Sequence, residues 1–128
     1  MQHLYAKLCP QTFQPPLLPL YDSSFGKGEG KIAIVTGSNC GIGFRTAGGL
    51  VERGFTVIIA CRSSSKGKMA VALINDEFNG NGKAVFLTSL DLADFGSVRD
   101  FAKSFIKRFG ICHVLVNNAG INTTGVSR

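Results

Sequence analysis

Thr36-Gly37-Ser38-Asn39-Cys40-Gly41-Ile42-Gly43 directly follows the apolar run Ile32-Ala33-Ile34-Val35 and directly precedes Phe44, Ala47, Gly48 and Val51, which recur at helical spacing. A strand running through a glycine loop into a helix assigns each glycine a task. Gly37 lets the chain turn sharply off the strand, Gly41 removes a side chain where a pyrophosphate has to approach, and Gly43 lets the helix pack close to the strand. The helix N-terminus then presents N–H groups and a partial positive charge. Glycine turns are common and a lone one would be read as structural; the flanking strand and helix favour a phosphate-binding loop here.

Outward from this loop, short apolar runs alternate with longer helical stretches, as in a parallel sheet covered on both faces. Residues 31–36, 55–60, 84–88 and 112–117 read as strands. Between them Ala70, Leu73, Ile74 and Phe78 fall at helical spacing, as do Val98, Phe101, Ala102, Phe105, Ile106 and Phe109. Gly54, the segment Asn79-Gly80-Asn81-Gly82 and Gly110 follow the three helices where left-handed caps are expected. The order is βαβαβαβ. Right-handed crossovers predict an α/β, Rossmann-like, doubly wound parallel sheet of strand order 3-2-1-4, with a ligand crevice outside the carboxyl ends of strands 1 and 4.

The octet has the form T-G-x-x-x-G-x-G, and three later segments accompany it: Ala60-Cys61-Arg62-Ser63, Leu90-Asp91-Leu92 and Asn117-Asn118-Ala119-Gly120. In order and spacing these resemble the short-chain dehydrogenase/reductase family over roughly residues 31 to 121, and within it the subgroup that includes retinol dehydrogenases. The resemblance implies hydride transfer between a nicotinamide dinucleotide and a carbonyl or alcohol. It implies cofactor contacts from the loop Gly37, Ser38, Asn39, Cys40, Gly41, Ile42 and Gly43. It also implies a hydrogen bond from the adenine amino group to Asp91, with the Leu92 backbone beside it, and contacts from Asn118, Ala119 and Gly120. Asn117 and Asn118 would also tie the central strands together, and for Asn117 that structural role carries at least equal weight.

Charge at the end of strand 2 bears on which dinucleotide is bound. About 20 residues past the glycine loop an NAD enzyme places a carboxylate on the ribose hydroxyls. Cys61 stands there instead, followed by Arg62, whose guanidinium suits a 2′-phosphate. An isolated surface arginine would mean little. The missing acid and the added base together predict NADP(H).

The 128 residues give room for one domain, and 45% hydrophobic against 17% charged residues describes a globular chain. None of its apolar stretches approaches the roughly 20 residues needed to span a bilayer. The net charge of +6 lies outside residues 1–30, where Lys7 and Lys27 balance Asp22 and Glu29. Beyond them the basic residues are scattered singly, with only Lys107-Arg108 adjacent, and with no aromatic-basic interleaving. A solvated surface that attracts an anionic cofactor is expected, not a nucleic-acid binder. Cys9, Cys40, Cys61 and Cys112 form neither a metal pattern nor a disulfide framework and are expected to be reduced. Cys40 has no neighbour that would activate it, and His113 reads as a packing histidine in strand 4.

Residues 1–30 read as an irregular, Pro-rich leader. Pro10, Pro15, Pro16 and Pro19 spoil a signal helix, and the first arginine is Arg45, unlike a transit peptide. A cytoplasmic location is expected, although the leader's composition remains compatible with an organelle address. Residues 31–128 are expected to form a dinucleotide-binding half-domain, incomplete relative to the family. The family's Tyr-x-x-x-Lys pair does not occur: Tyr5 and Tyr21 precede the first strand, and neither has a lysine four residues on. Ser127 follows strand 4 too closely to be the family serine, so no catalytic residue is assigned. A non-enzymatic NADP(H)-binding or interaction module is the alternative. Strand 4 would then be an exposed edge open to a second copy or to another strand.

Overall fold

A computed structural model describes residues 27–121. Four strands, β1 (Ile32–Thr36), β2 (Thr56–Ala60), β3 (Lys83–Phe86) and β4 (Val114–Val116), alternate with three helices, α1 (Gly41–Glu52), α2 (Ser64–Glu77) and α3 (Phe95–Phe109). The sheet is parallel with order β3-β2-β1-β4, as the right-handed crossovers require. Ile34 sits opposite Ile58 on one side and Leu115 on the other, so β1 is central.

The pleat sends alternate side chains to opposite faces, and both faces are covered. Ala33, Val35, Val57, Ile59 and Ala84 pack against Phe44, Ala47 and Val51 of α1 and Ala70, Leu73 and Ile74 of α2. Ile34, Ile58 and Ala60 pack on the other face against Leu90 and against Phe101 and Phe105 of α3. Burial on both sides is why the central strands read as continuous apolar runs.

The edges account for where the expected boundaries shift. β4 is three residues long where 112–117 was expected, because it pairs only with Ala33–Val35 of β1 and the Thr36 hydroxyl then takes the Val116 carbonyl. β3 ends at Phe86 because the chain peels away to Leu90, whose N–H donates to Cys61 O. The outer edge of β3 is closed by a side chain: Asn75 Nδ2 donates to Ala84 O, and Asn75 Oδ1 accepts from Ala84 N–H at 2.7 Å. On β4 a side-chain bond of this kind comes from the Cys112 thiol, which donates to Val114 O at 3.2 Å. Leu115 and Ile111 are exposed at that edge, as the sequence leads one to expect, whereas Ile106, read as part of the apolar face of α3, is exposed against expectation.

Two expectations are corrected. Gly54 and Gly110 do adopt positive φ after α1 and α3, but no residue of 79–82 does after α2. α2 ends instead on an extended Phe78, whose ring lies edge-on to Phe44 at 6.1 Å in a space that only Gly48 leaves free. His113 lies outside β4 and is exposed. It is satisfied by a reciprocal pair rather than by packing: Ile32 N–H donates to its Nδ1, and its own N–H donates to Ile32 O, both at 2.9 Å.

Candidate functional site

The carboxyl ends of β1 and β4 open onto a cleft of about 760 Å³, within the usual range for a small-molecule site. Gly37, Asn39, Cys40, Ile42, Gly43, Arg62, Asp91, Leu92, Asn118, Ala119 and Gly120 line it. Thus four segments far apart in sequence converge where the winding reverses.

Backbone geometry builds the loop. Gly37 has φ +64°, and a Cβ there would come 2.9 Å from Ala119 Cα. Gly41 has φ +62° and opens α1 with nothing within 4 Å of where its Cβ would be, which leaves room for a ligand over the helix end. Gly43 is the tightest: its Cβ would lie 2.4 Å from Asn118 Nδ2 and 2.5 Å from Gly37 O. The helix end is also chemically open. Ser63 Oγ caps α2 and Asp94 caps α3, whereas Cys40, the residue before α1, makes no side-chain cap. The first amides of α1 therefore keep their donors and the positive end of the helix dipole for an incoming anion.

Thr36 and Asn118 lock the two lips of the crevice together. Thr36 Oγ1 accepts from Asn118 N–H at 3.0 Å and Ala119 N–H at 2.9 Å, and Asn118 Nδ2 donates to Thr36 O at 2.9 Å. Asn118 thus performs the strand-tying role, while Asn117 is exposed. Ser38 turns inward: fully buried, its Oγ donates to Val35 O at 2.7 Å and accepts from Ala60 N–H at 3.2 Å. It clasps β1 to β2 and does not line the cleft, and Gly41 does not line it either.

At the end of β2, Arg62 is exposed on the rim while Cys61 is buried beneath it. Burial pushes the Cys61 thiol up from its ordinary value. Among the described cysteines, Cys61 is expected to be alkylated last and the exposed Cys112 early, which mass mapping after timed maleimide labelling would show. Asp91 serves as a turn anchor, with Oδ1 accepting from Ala93 N–H at 3.0 Å while the residue still borders the cleft. Sequence reasoning left out Thr36, Ala60, Cys61, Leu90, Ala93 and Ile121 as lining residues. Of these Thr36 carried a signal, a hydroxyl at a strand end next to the turn glycine, and Cys61 was noted only as the residue standing in place of an acid.

The family profile described as short chain dehydrogenase matches residues 31–128. The chain belongs to the short-chain dehydrogenase family. Mouse retinol dehydrogenase 11 is 49% identical over 92 residues, covering 72% of this chain and 28% of that protein. A metagenomic short-chain oxidoreductase solved in complex with NADP superposes with a TM-score of 0.65 at 30% identity, covering 75% of this chain and 42% of that one. L-sorbose reductase from Gluconobacter frateurii, solved with NADPH and L-sorbose, also gives 0.65, at 26% identity over 78% of this chain and 38% of that one. The short-chain dehydrogenase chain described here thus spans little more than a quarter of the curated relative's length. No described helix is long and apolar enough to cross a membrane.

Proposed function

We propose that residues 31–128 form the NADP(H)-binding half-domain of an oxidoreductase that moves hydride between NADP(H) and a carbonyl or alcohol, residues 1–30 being a leader. The observation that carries this reading is the uncapped N-terminus of α1 beside a cleft with Arg62 on its rim and Cys61, not a carboxylate, at the end of β2. The residues present fit the dinucleotide. The α1 amides would take the pyrophosphate, Arg62 a 2′-phosphate, and Asp91 and Leu92 the adenine. Asn118, Ala119 and Gly120 would border the remainder of the cofactor. When bound, NADPH supplies the hydride; this chain's residues bind and orient it. Two related structures, of the metagenomic oxidoreductase and the sorbose reductase, were solved with NADP and NADPH.

Reduction itself is proposed for the whole protein, since the Tyr-x-x-x-Lys pair does not occur in these residues. The exposed Leu115 and Ile111 at the β4 edge favour a second reading, an NADP(H)-binding module that pairs with another strand or a second copy through them. A cytoplasmic location is proposed with this reading, one in which Cys40, Cys61 and Cys112 would stay reduced.

Arg62→Ala tests the cofactor assignment. NADPH affinity is expected to fall about tenfold, the loss of a charge-assisted contact, while NADH affinity stays within about twofold, because its ribose lacks the phosphate. Fluorescence titration of both nucleotides reads this directly. Equal losses for the two would remove Arg62 from the site. Failure of the parent chain to bind either nucleotide would remove the function.

A further inference from the structure

The loop between α2 and β3 lies at the amino ends of the parallel strands, opposite the cleft, and holds two consecutive Asn-Gly steps, Asn79-Gly80 and Asn81-Gly82. It borders a separate hollow of about 500 Å³ with Asn75 and Lys83. A glycine after asparagine leaves its amide nitrogen unshielded and its backbone free to rotate toward the asparagine side chain.

The structure makes the two steps unequal. Gly82 N–H donates to Val51 O at 3.2 Å, and Asn81 Nδ2 donates to Glu29 Oε1 at 3.4 Å. Both glycines lie close to the end of α1, since a Cβ on Gly82 would meet Val51 O at 2.5 Å and one on Gly80 would meet Glu52 Cα at 2.5 Å; the steps differ in their hydrogen bonds. At the second step both the attacking nitrogen and the attacked amide are therefore held. Asn79 and Gly80 are exposed, and among the described residues neither the Asn79 side chain nor the Gly80 N–H makes a hydrogen bond.

We propose that Asn79 is a site of spontaneous modification, at which the Gly80 amide nitrogen closes on the Asn79 side chain and converts it to aspartate or isoaspartate. The Gly80 nitrogen gives its proton to water and forms a bond to Asn79 Cγ; the Cγ–Nδ2 bond breaks and ammonia leaves. Water then adds across one or the other carbonyl–nitrogen bond of the ring. One opening restores the normal backbone as aspartate, and the other leaves isoaspartate with the main chain routed through the former side chain. No electrons change hands, and water is the only co-reactant. The product places a carboxylate in a loop that already lies against Glu52 and near Glu29, and the isoaspartate form lengthens the backbone there. The cleft, at the other end of the sheet, is untouched. The inference does not depend on the cofactor assignment.

The test is to incubate the full chain at mildly alkaline pH, native and in denaturant, and to follow each Asn-Gly peptide by mass spectrometry with separation of the isoaspartyl form. In the native chain Asn79 is expected to react about tenfold faster than Asn81, with the gap closing in denaturant, since only folding distinguishes them. Asn79→Gln is expected to remove the main product. Equal native rates, a faster Asn81, or an undiminished yield of acidic product from Asn79→Gln would each overturn the proposal.

Discussion

Gly43→Ala is expected to cost about 3 kcal/mol of stability and at least about tenfold in NADPH affinity. One methyl group has this effect because of what it meets. The added Cβ falls 2.4 Å from Asn118 Nδ2 and 2.5 Å from Gly37 O, and the second of these is backbone that cannot swing aside. α1 must therefore lift off the end of β1, or Asn118 must release the Thr36 and Gly37 carbonyls it holds at 2.9 and 3.4 Å. Lifting α1 carries its free amides away from the position that a pyrophosphate would occupy. Releasing Asn118 unlocks β4, which has only three paired residues to lose. Urea unfolding followed by circular dichroism would measure the first effect, and nucleotide titration of the folded protein the second. An unchanged unfolding midpoint would mean that the helix does not approach the strand as described.

Those contacts also show how far the sequence could be read. Gly43's close packing and Gly37's turn were legible because glycines at fixed offsets after a strand leave few alternatives. The sheet order followed from alternation of elements plus handedness. Phe101 and Phe105 faced the core as their spacing required. What stayed hidden was side-chain direction wherever the partner was distant in sequence. Phe78 displaced the expected glycine cap after α2 because its ring found the gap over Gly48, 30 positions away in the chain, and no local pattern encodes that fit. His113 was read as a packing histidine, yet it is exposed and bonds to the first residue of β1. The resemblance gave Asp91 an adenine contact, and the structure shows its carboxylate anchoring a turn while the residue borders the cleft.

Ser38 separates the two kinds of information most sharply, because its place in the loop suggests ligand contact while its hydroxyl points into the protein. Ser38→Ala is expected to cost about 2–3 kcal/mol of stability. The Ala60 N–H would lose its 3.2 Å acceptor and the Val35 carbonyl its 2.7 Å donor in a place where the residue has no exposure, so water cannot substitute. The adjacent Gly37 N–H bond to Ala60 O would then hold the ends of β1 and β2 together with less help. Cofactor affinity measured on the folded fraction is expected to change by less than about threefold, because the lost bonds are internal ones. The opposite pattern, full stability with NADPH binding lost, would place the Ser38 hydroxyl on the ligand and show that the loop rearranges when the cleft fills. Both quantities come from one experiment, urea denaturation with and without saturating NADPH. A clasp lowers both curves by the same amount, whereas a ligand contact lowers only the one with nucleotide present.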